Sequence, residues 1–339
     1  MSVELTDRPT ASPARPPRVP VPGRERGPAA PPAPELARTW RPPGPLDPAL
    51  VLGVLRRGPG DPALRTAADG SLWRASRTPC GPGTLRVARR RGEDLVEASA
   101  WGPGAPWLLD ALPSLLGADD DPAAFTPRHR VLLHAHRRHP GLRLGRTGLV
   151  LESLIPAVLE QKVTLSEAHR AWRLLLRRHG EPAPGPAGSP AEGMRVMPDA
   201  RTWALIPSWE WHRAGVDGKR SAAVLRAVRV APRLEEAAGM DGASAADRLR
   251  LVPGIGPWTA AETLQRSNGD PDAVSVGDLH LPGLVGHALA GARTDDAGML
   301  ELLAPYAGQR HRACRLVLLS GVRPPRRAPR AAPRDIARL

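Results

Sequence analysis

Residues 251–260 read Leu-Val-Pro-Gly-Ile-Gly-Pro-Trp-Thr-Ala, and twenty residues after Trp258 a single acid, Asp278, stands in Val-Gly-Asp-Leu-His. Ahead of this stretch, Ser244 and Asp247 form a capping-box-like start for a short helix through Leu249 and Leu251. Pro253-Gly254-Ile255-Gly256 breaks that helix. Pro257 suits the first position of a new one, where its missing N–H costs nothing. The second helix continues through Trp258, Ala261, Thr263 and Leu264 and stops at Asn268-Gly269. Gly254 and Gly256 leave the turn bare, so backbone N–H groups and a helix N-terminus can approach an anionic oxygen. An ordinary αα-corner needs glycine for the same geometry. What points beyond it is the Pro-Trp-Thr-Ala that follows, and the acid further on.

This stretch resembles the helix-hairpin-helix DNA glycosylase superfamily, and among its branches the 3-methyladenine DNA glycosylase II family. The resemblance implies a hairpin at Gly254, Gly256 and Thr259 that grips the DNA backbone, often with a bound monovalent cation, Na+ or K+. It places Asp278 at the catalytic position. It also places Trp258 where the branches part: a Lys there makes a Schiff base and cuts the strand, whereas a Trp marks enzymes that only remove an alkylated base. The chain has two lysines, Lys162 and Lys219, neither near the hairpin in sequence, so an amine nucleophile at that place is excluded by composition. The fold implied is mostly α with a small α+β N-terminal domain.

The composition permits this reading without requiring it. The formal charge of +14 over 339 residues invites a nucleic-acid partner. Yet the segments 1–45 and 322–339 carry +3 and +5 of it, leaving +6 for the body. A modest basic face on the body suffices for weak, salt-sensitive contact with DNA. Both end segments, rich in Pro and Arg, are expected to be disordered. Between them the reading places an α+β domain at 46–125 and a helical domain at 126–321, with the helix-hairpin-helix at 244–268. No apolar run has membrane-spanning length and the N-terminus lacks the apolar core of a signal peptide, so a cytoplasmic, nucleoid-associated monomer is expected. Cys80 and Cys314, the two cysteines, exclude a four-cysteine iron–sulfur cluster and any disulfide framework; no cofactor is expected.

The body has two textures. From Gly70 to Gly102 the pattern is strand-like, at Leu72-Trp73, 84–87 and 95–98, with Gly81-Pro82-Gly83 and Arg91-Gly92 as turns. A small antiparallel sheet with helices on one side follows. From Pro127 helices take over. Leu151, Leu154, Ile155, Val158 and Leu159 share a helical face. Thr164 and Glu167 cap the next helix, which buries Ala168, Trp172, Leu175 and Leu176 and ends at Gly180. A Pro/Gly/Ser-rich loop occupies 181–193. His129, His134, His136 and His139, interleaved with Arg, read as a basic helix face rather than a zinc site.

The turn between those two helices, 160–164, corresponds by resemblance to the one that enters the minor groove and fills the gap left by a flipped nucleotide. Gln161 and Lys162 stand there. A lysine is no apolar wedge, but its stem can fill space while its head meets phosphate; it can equally be a solvated turn residue. The base pocket implied by resemblance contains Trp258, with Glu262 and Leu279 where aromatic residues often stand. Glu262, four residues from Trp258, is expected to face the same cavity and to attract a cationic base by its charge. Trp209 and Trp211 are expected in the core rather than in the pocket.

Asp278 before Leu-His-Leu-Pro is also a natural cap for a helix running toward Ala290. The two roles are compatible, because a capping carboxylate is oriented by helix N–H groups. The function expected is excision of 3-methyladenine- or 7-methylguanine-type bases from double-stranded DNA, leaving an abasic site. A non-catalytic hairpin protein that only holds DNA is the alternative, and a bifunctional oxidised-base glycosylase is a third reading that Trp258 disfavours.

Overall fold

A computed structural model describes residues 36–90 and 92–325. Arg91 and most of the two end segments lie outside the described residues. Residues 36–40 do not: Leu-Ala-Arg-Thr-Trp forms strand β1 (Leu36–Trp40), although its proline-rich flank placed it in the expected tail. It pairs antiparallel with residues 96–100, which satisfies its backbone groups far from its own sequence neighbourhood.

The sheet has five antiparallel strands. After β1 come α1 (Pro48–Leu52), β2 (Leu64–Thr66), β3 (Leu72–Thr78), β4 (Gly81–Arg89) and β5 (Val96–Trp101), in spatial order β1-β5-β4-β3-β2. The hairpin between β3 and β4 turns at Pro79-Cys80, not at Gly81-Pro82-Gly83, which is the start of β4, with Gly81 paired to Thr78. The glycine there serves packing: a Cβ on Gly83 would sit 2.6 Å from Leu108 Cδ1. Leu108 belongs to α2 (Ala105–Asp110), which with α3 (Leu112–Leu115) covers one face of the sheet. Strand alternation sends Leu85, Val87, Ala98 and Ala100 to that face. Trp73 and Trp101 go to the other and stack 5.1 Å apart. That second face is covered by Ala191, Met194 and Val196, so the loop after 180 is part of the core.

The helices continue with α4 (Arg130–Arg138), α5 (Val150–Leu159) and α6 (Leu165–His179). The short strands β6 (Glu181–Pro182) and β7 (Arg195–Val196) follow, then α7 (Ala200–Leu205), α8 (Ser208–Arg213), α9 (Gly218–Arg229) and α10 (Ala231–Glu235). Then come α11 (Gly242–Arg250), α12 (Pro257–Ser267), α13 (Leu281–Ala290), α14 (Asp296–Leu303) and α15 (Arg310–Leu319). The expected capping box at Thr164 and Glu167 is formed in both directions, and α6 buries Ala168, Trp172, Leu175 and Leu176. The helices make two apolar clusters. One gathers α5 to α12 around Leu154, Trp203 and Val224; the other gathers α4, α13, α14 and α15 around Leu132, Met299 and Leu316. The segment 268–280 joins them, and Asp278 lies on it. Among the described residues no helix is long and apolar enough to cross a membrane.

Candidate active site

Helix α11 starts one turn earlier than expected. Asp241, not Ser244, is its cap, and the Asp241 carboxylate accepts from Ser244 N at 2.9 Å. An extended Asp places a charged acceptor at the N-terminus, and Ser244 supplies the N–H it needs. Beyond Leu251 the turn is anchored inward by Val252 and Ile255, each 5% exposed. Gly254 has φ +100, and a Cβ there would approach Ala223 Cβ to 2.9 Å, so both conformation and space require glycine. Gly256 differs. Its φ is −94, ψ −179, and a Cβ would meet nothing within 4 Å. It precedes Pro257, and no side chain caps the first turn of α12. The leading N–H groups of that eleven-residue helix are therefore open at the end where two bare glycines stand.

Thr259 does not present its hydroxyl outward with them. It is 2% exposed, and its Oγ1 accepts from Gln161 Nε2 at 2.8 Å. The same amide donates to Gly254 O at 3.0 Å. Gln161 thus reaches back from the turn after α5 and fastens it to the hairpin instead of standing free as a wedge. Lys162 remains at the tip, exposed, with φ +54, the one non-glycine residue of positive φ among the described residues. A left-handed lysine costs about 1–2 kcal/mol relative to a right-handed one. Lys162→Gly is accordingly expected to raise stability by roughly 0.5–1 kcal/mol, once the extra freedom of glycine in the unfolded chain is deducted. In thermal unfolding, a loss of stability in that variant would show that the lysine side chain holds the turn.

The helix that carries this turn is fixed at both ends by distant side chains. At its start, the Glu235 carboxylate accepts from Val150 N and Leu151 N at 2.8 and 2.9 Å. Burial raises the Glu235 carboxyl above its usual range, against the lowering effect of those two N–H groups. At its end, Arg220 donates to Leu159 O at 2.8 Å while paired with Asp217 at 2.7 Å. Neither residue has a local sequence signal that ties it to α5. Arg226 was missed for the same reason: it is exposed on α9 and donates to Pro253 O at 3.1 Å, adding a guanidinium beside the hairpin.

Asp278 is held by three N–H groups. Its Oδ1 accepts from His280 N at 2.7 Å and Leu281 N at 2.8 Å, so it holds the N–H groups at the start of α13 from two residues before the N-cap, which is His280 and not Asp278. Its Oδ2 accepts from the indole Nε1 of Trp258 at 3.0 Å. The preceding Gly277, at φ +89, turns the chain and donates to the Asp296 carboxylate. The hairpin helix and the acid twenty residues on thus meet through one hydrogen bond, Trp258 to Asp278.

The rest of the expected pocket is arranged differently. Leu279 is 87% exposed and faces solvent. Glu262 lies one turn beyond Trp258, but its carboxylate is spent on a salt bridge to Arg266 at 2.7 Å and a hydrogen bond from Ser275 Oγ. Burial pushes that carboxyl up, and Arg266, Ser275 and Arg57 together outweigh it, leaving the group below its usual range. A second buried pair, Arg57 with Glu160 at 2.8 Å, stands nearby. Glu262 was expected to turn its charge toward a base; its carboxylate is instead engaged by Arg266 and Ser275. Trp211 is in the core, stacked on Trp203 at 5.6 Å, whereas Trp209 is 65% exposed rather than core. His129 bonds to the Tyr306 hydroxyl and His136 packs on Phe125, so two of the four clustered histidines are engaged with the core.

No family model matches the chain. It is similar to proteins named probable bifunctional transcriptional activator/DNA repair enzyme AlkA from two strains of Mycobacterium tuberculosis. The identity to each is 29% over 238 residues, 65% of this chain and 44% of theirs. The chain spans less than half the length of these curated relatives. Among solved structures it is similar to the 3-methyladenine DNA glycosylase of Archaeoglobus fulgidus, with TM-score 0.69 and 14% identity, covering 84% of this chain and 98% of that one. It also resembles MBOgg1 in complex with a low-affinity DNA ligand, with TM-score 0.67 and 14% identity, covering 84% and 95%. A third is the 8-oxoguanine glycosylase/lyase of Clostridium acetobutylicum, with TM-score 0.63 and 11% identity, covering 81% and 91%. The fold is that of the helix-hairpin-helix DNA glycosylases, shared by members that act on alkylated and on oxidised bases.

Proposed function

We propose that the chain is a monofunctional DNA glycosylase that hydrolyses the N-glycosidic bond of alkylated purines in duplex DNA. The observation that carries this reading is the Asp278 carboxylate, fixed by Trp258, His280 and Leu281 at the start of α13 and beside a hairpin with an open helix N-terminus. An N-alkylated purine is cationic and departs without prior protonation. The site must supply an extruded nucleotide, stabilisation of the positive charge growing on the deoxyribose, and a water at C1′. A fixed anion supplies the second and can orient the third. As the C1′–N bond breaks, its electron pair leaves with the base; water adds to C1′ and its proton passes to solvent. Hydrolysis by water rather than by an amine accords with Lys162 at a turn tip and Lys219 on α9, neither of which touches Asp278 or Trp258.

The partner on this reading is double-stranded damaged DNA, bound by a monomer in the cytoplasm, with no organic cofactor. For a monovalent cation at the hairpin, the oxygens of Val252, Pro253 and Gly254 already accept from Ile255 N, Arg226 and Gln161, leaving those of Leu251 and Ile255. These are neutral carbonyls, which fit Na+ or K+ better than a divalent ion. Such an ion would add positive charge where a phosphate approaches.

The test is release of free base from methylated duplex DNA, with the strand intact until alkali is added. Strand cleavage without alkali, or a borohydride-trapped covalent complex, would overturn the monofunctional reading. The engagement of Glu262 by Arg266 and the exposure of Leu279 favour a second reading, a hairpin protein that binds DNA without chemistry. Binding without base release in the same assay would select it.

The grip is tested separately. Gly256→Ala is expected to fold normally, because its Cβ meets nothing, and to weaken affinity for every sequence alike with a shallower salt dependence. Gly254→Ala is expected to lose stability first. A Gly256→Ala variant with unchanged affinity would show that the hairpin does not face phosphate.

A further inference from the structure

At the end of α12 away from the hairpin, a cavity of about 40 Å³ lies between Val51, Val54, Arg143, Arg266, His311 and Arg315. Nine residues of helix separate Gly256 from Gln265 on its wall, about 13 Å, so this space is distinct from the DNA-facing turn. Three guanidinium groups line it. Arg266 is paired with Glu262 at 2.7 Å and donates to Val54 O. Arg143 meets only carbonyl oxygens, those of Pro45 and Asp120, at 3.4 and 3.3 Å. Arg315, largely withdrawn from solvent, makes no hydrogen bond or ion pair among the described residues. One carboxylate thus faces three cations. His311 adds no charge: its Nδ1 donates to Asp270 O, and burial pushes its pKa down to about 3. Burial, and then Arg266, likewise pull Arg315 down to about 10, which leaves it charged at neutral pH.

A half-buried guanidinium without a counter-charge is costly, and its planar fork matches two oxygens of an oxyanion. We propose that this cavity binds a small oxyanion of the phosphate class, held by Arg315 and Arg143 with Arg266 on the third side. The bound ion would tie together the segment after α1, residues 143–145, α12 and α15, the four walls of the cavity. It would act on stability rather than on base removal, and it does not depend on the glycosylase reading. The cavity is too small to admit a nucleoside, so the free anion, not a phosphate carried by a nucleotide, is its ligand.

Thermal unfolding of the full chain tests this, with phosphate titrated against chloride at matched ionic strength. Phosphate is expected to raise Tm saturably, by about 3 °C at ten times the half-saturating concentration. Arg315→Gln and Arg143→Gln should each remove that increment, whereas Arg250→Gln, an exposed change on α11, should keep it. The second cavity variant guards against Arg315→Gln failing to fold. A rise no greater than that with chloride, or one retained by both cavity variants, would overturn the proposal. So would thymidine 5′-phosphate acting at lower concentration than inorganic phosphate, because the site would then be built for a nucleotide.

Discussion

Asp278→Asn is expected to slow release of alkylated base by on the order of 10³-fold or more, with duplex affinity within about twofold of the unaltered chain. The geometry explains why this substitution isolates the charge. An Asn Oδ1 can still accept from His280 N and Leu281 N, so the start of α13 keeps both hydrogen bonds. Its amide nitrogen would face the indole N–H of Trp258, donor against donor, and that one contact is lost. Trp258→Phe separates the two effects, since it removes the indole donor and retains the carboxylate; a loss nearer tenfold is expected. Single-turnover excision beside equilibrium binding measures both. Turnover by the Asn variant within tenfold of normal would mean that no anion is required at this position, and the catalytic assignment would fall.

Glu262→Gln is expected to lower stability by about 3 kcal/mol, because it leaves the Arg266 guanidinium, only 14% exposed, beside a neutral group. In thermal unfolding this is a fall of roughly 6 °C or more. Any loss of excision should affect cationic and neutral lesions alike, contrary to the expectation that Glu262 attracts a positive base. A paired replacement, Glu262→Leu with Arg266→Met, should restore most of the lost stability, since removing both partners leaves no orphan charge. If Glu262→Gln is stable and selectively loses cationic substrates, the carboxylate does face the base and the ion pair must open in the complex.

These two residues also show what could be read from the chain alone. Pro257 and Asn268-Gly269 mark the ends of α12 correctly, and Asp278 binds N–H groups at the start of α13, although the N-cap itself is His280. Those signals are local, carried by residues within a few positions of the effect. The ion pair was legible by the same standard: Glu262 and Arg266 stand at i and i+4 on one helix. The expectation of an open pocket came instead from resemblance. The anchorage of Gln161 was hidden in another way, since its partners Gly254 and Thr259 lie over ninety residues downstream. The same holds for β1 against β5, Glu235 and Arg220 on the two ends of α5, and Arg226 at the hairpin. No periodicity announces a contact that only the completed fold brings together. The cap of α11 was a closer miss: Ser244 with Asp247 reads as the start, and Asp241, three residues earlier, is the cap.

The Gln161 amide bears on how such a molecule would search. A probe on a slack loop would sample bases at random while the body slid past them. Here the left-handed Lys162 tip is coupled to the hairpin turn through one side chain with two acceptors. On the proposed reading, in which the hairpin grips the strand, each advance of the hairpin would carry the tip with it in fixed phase, so that inspection would keep step with translocation.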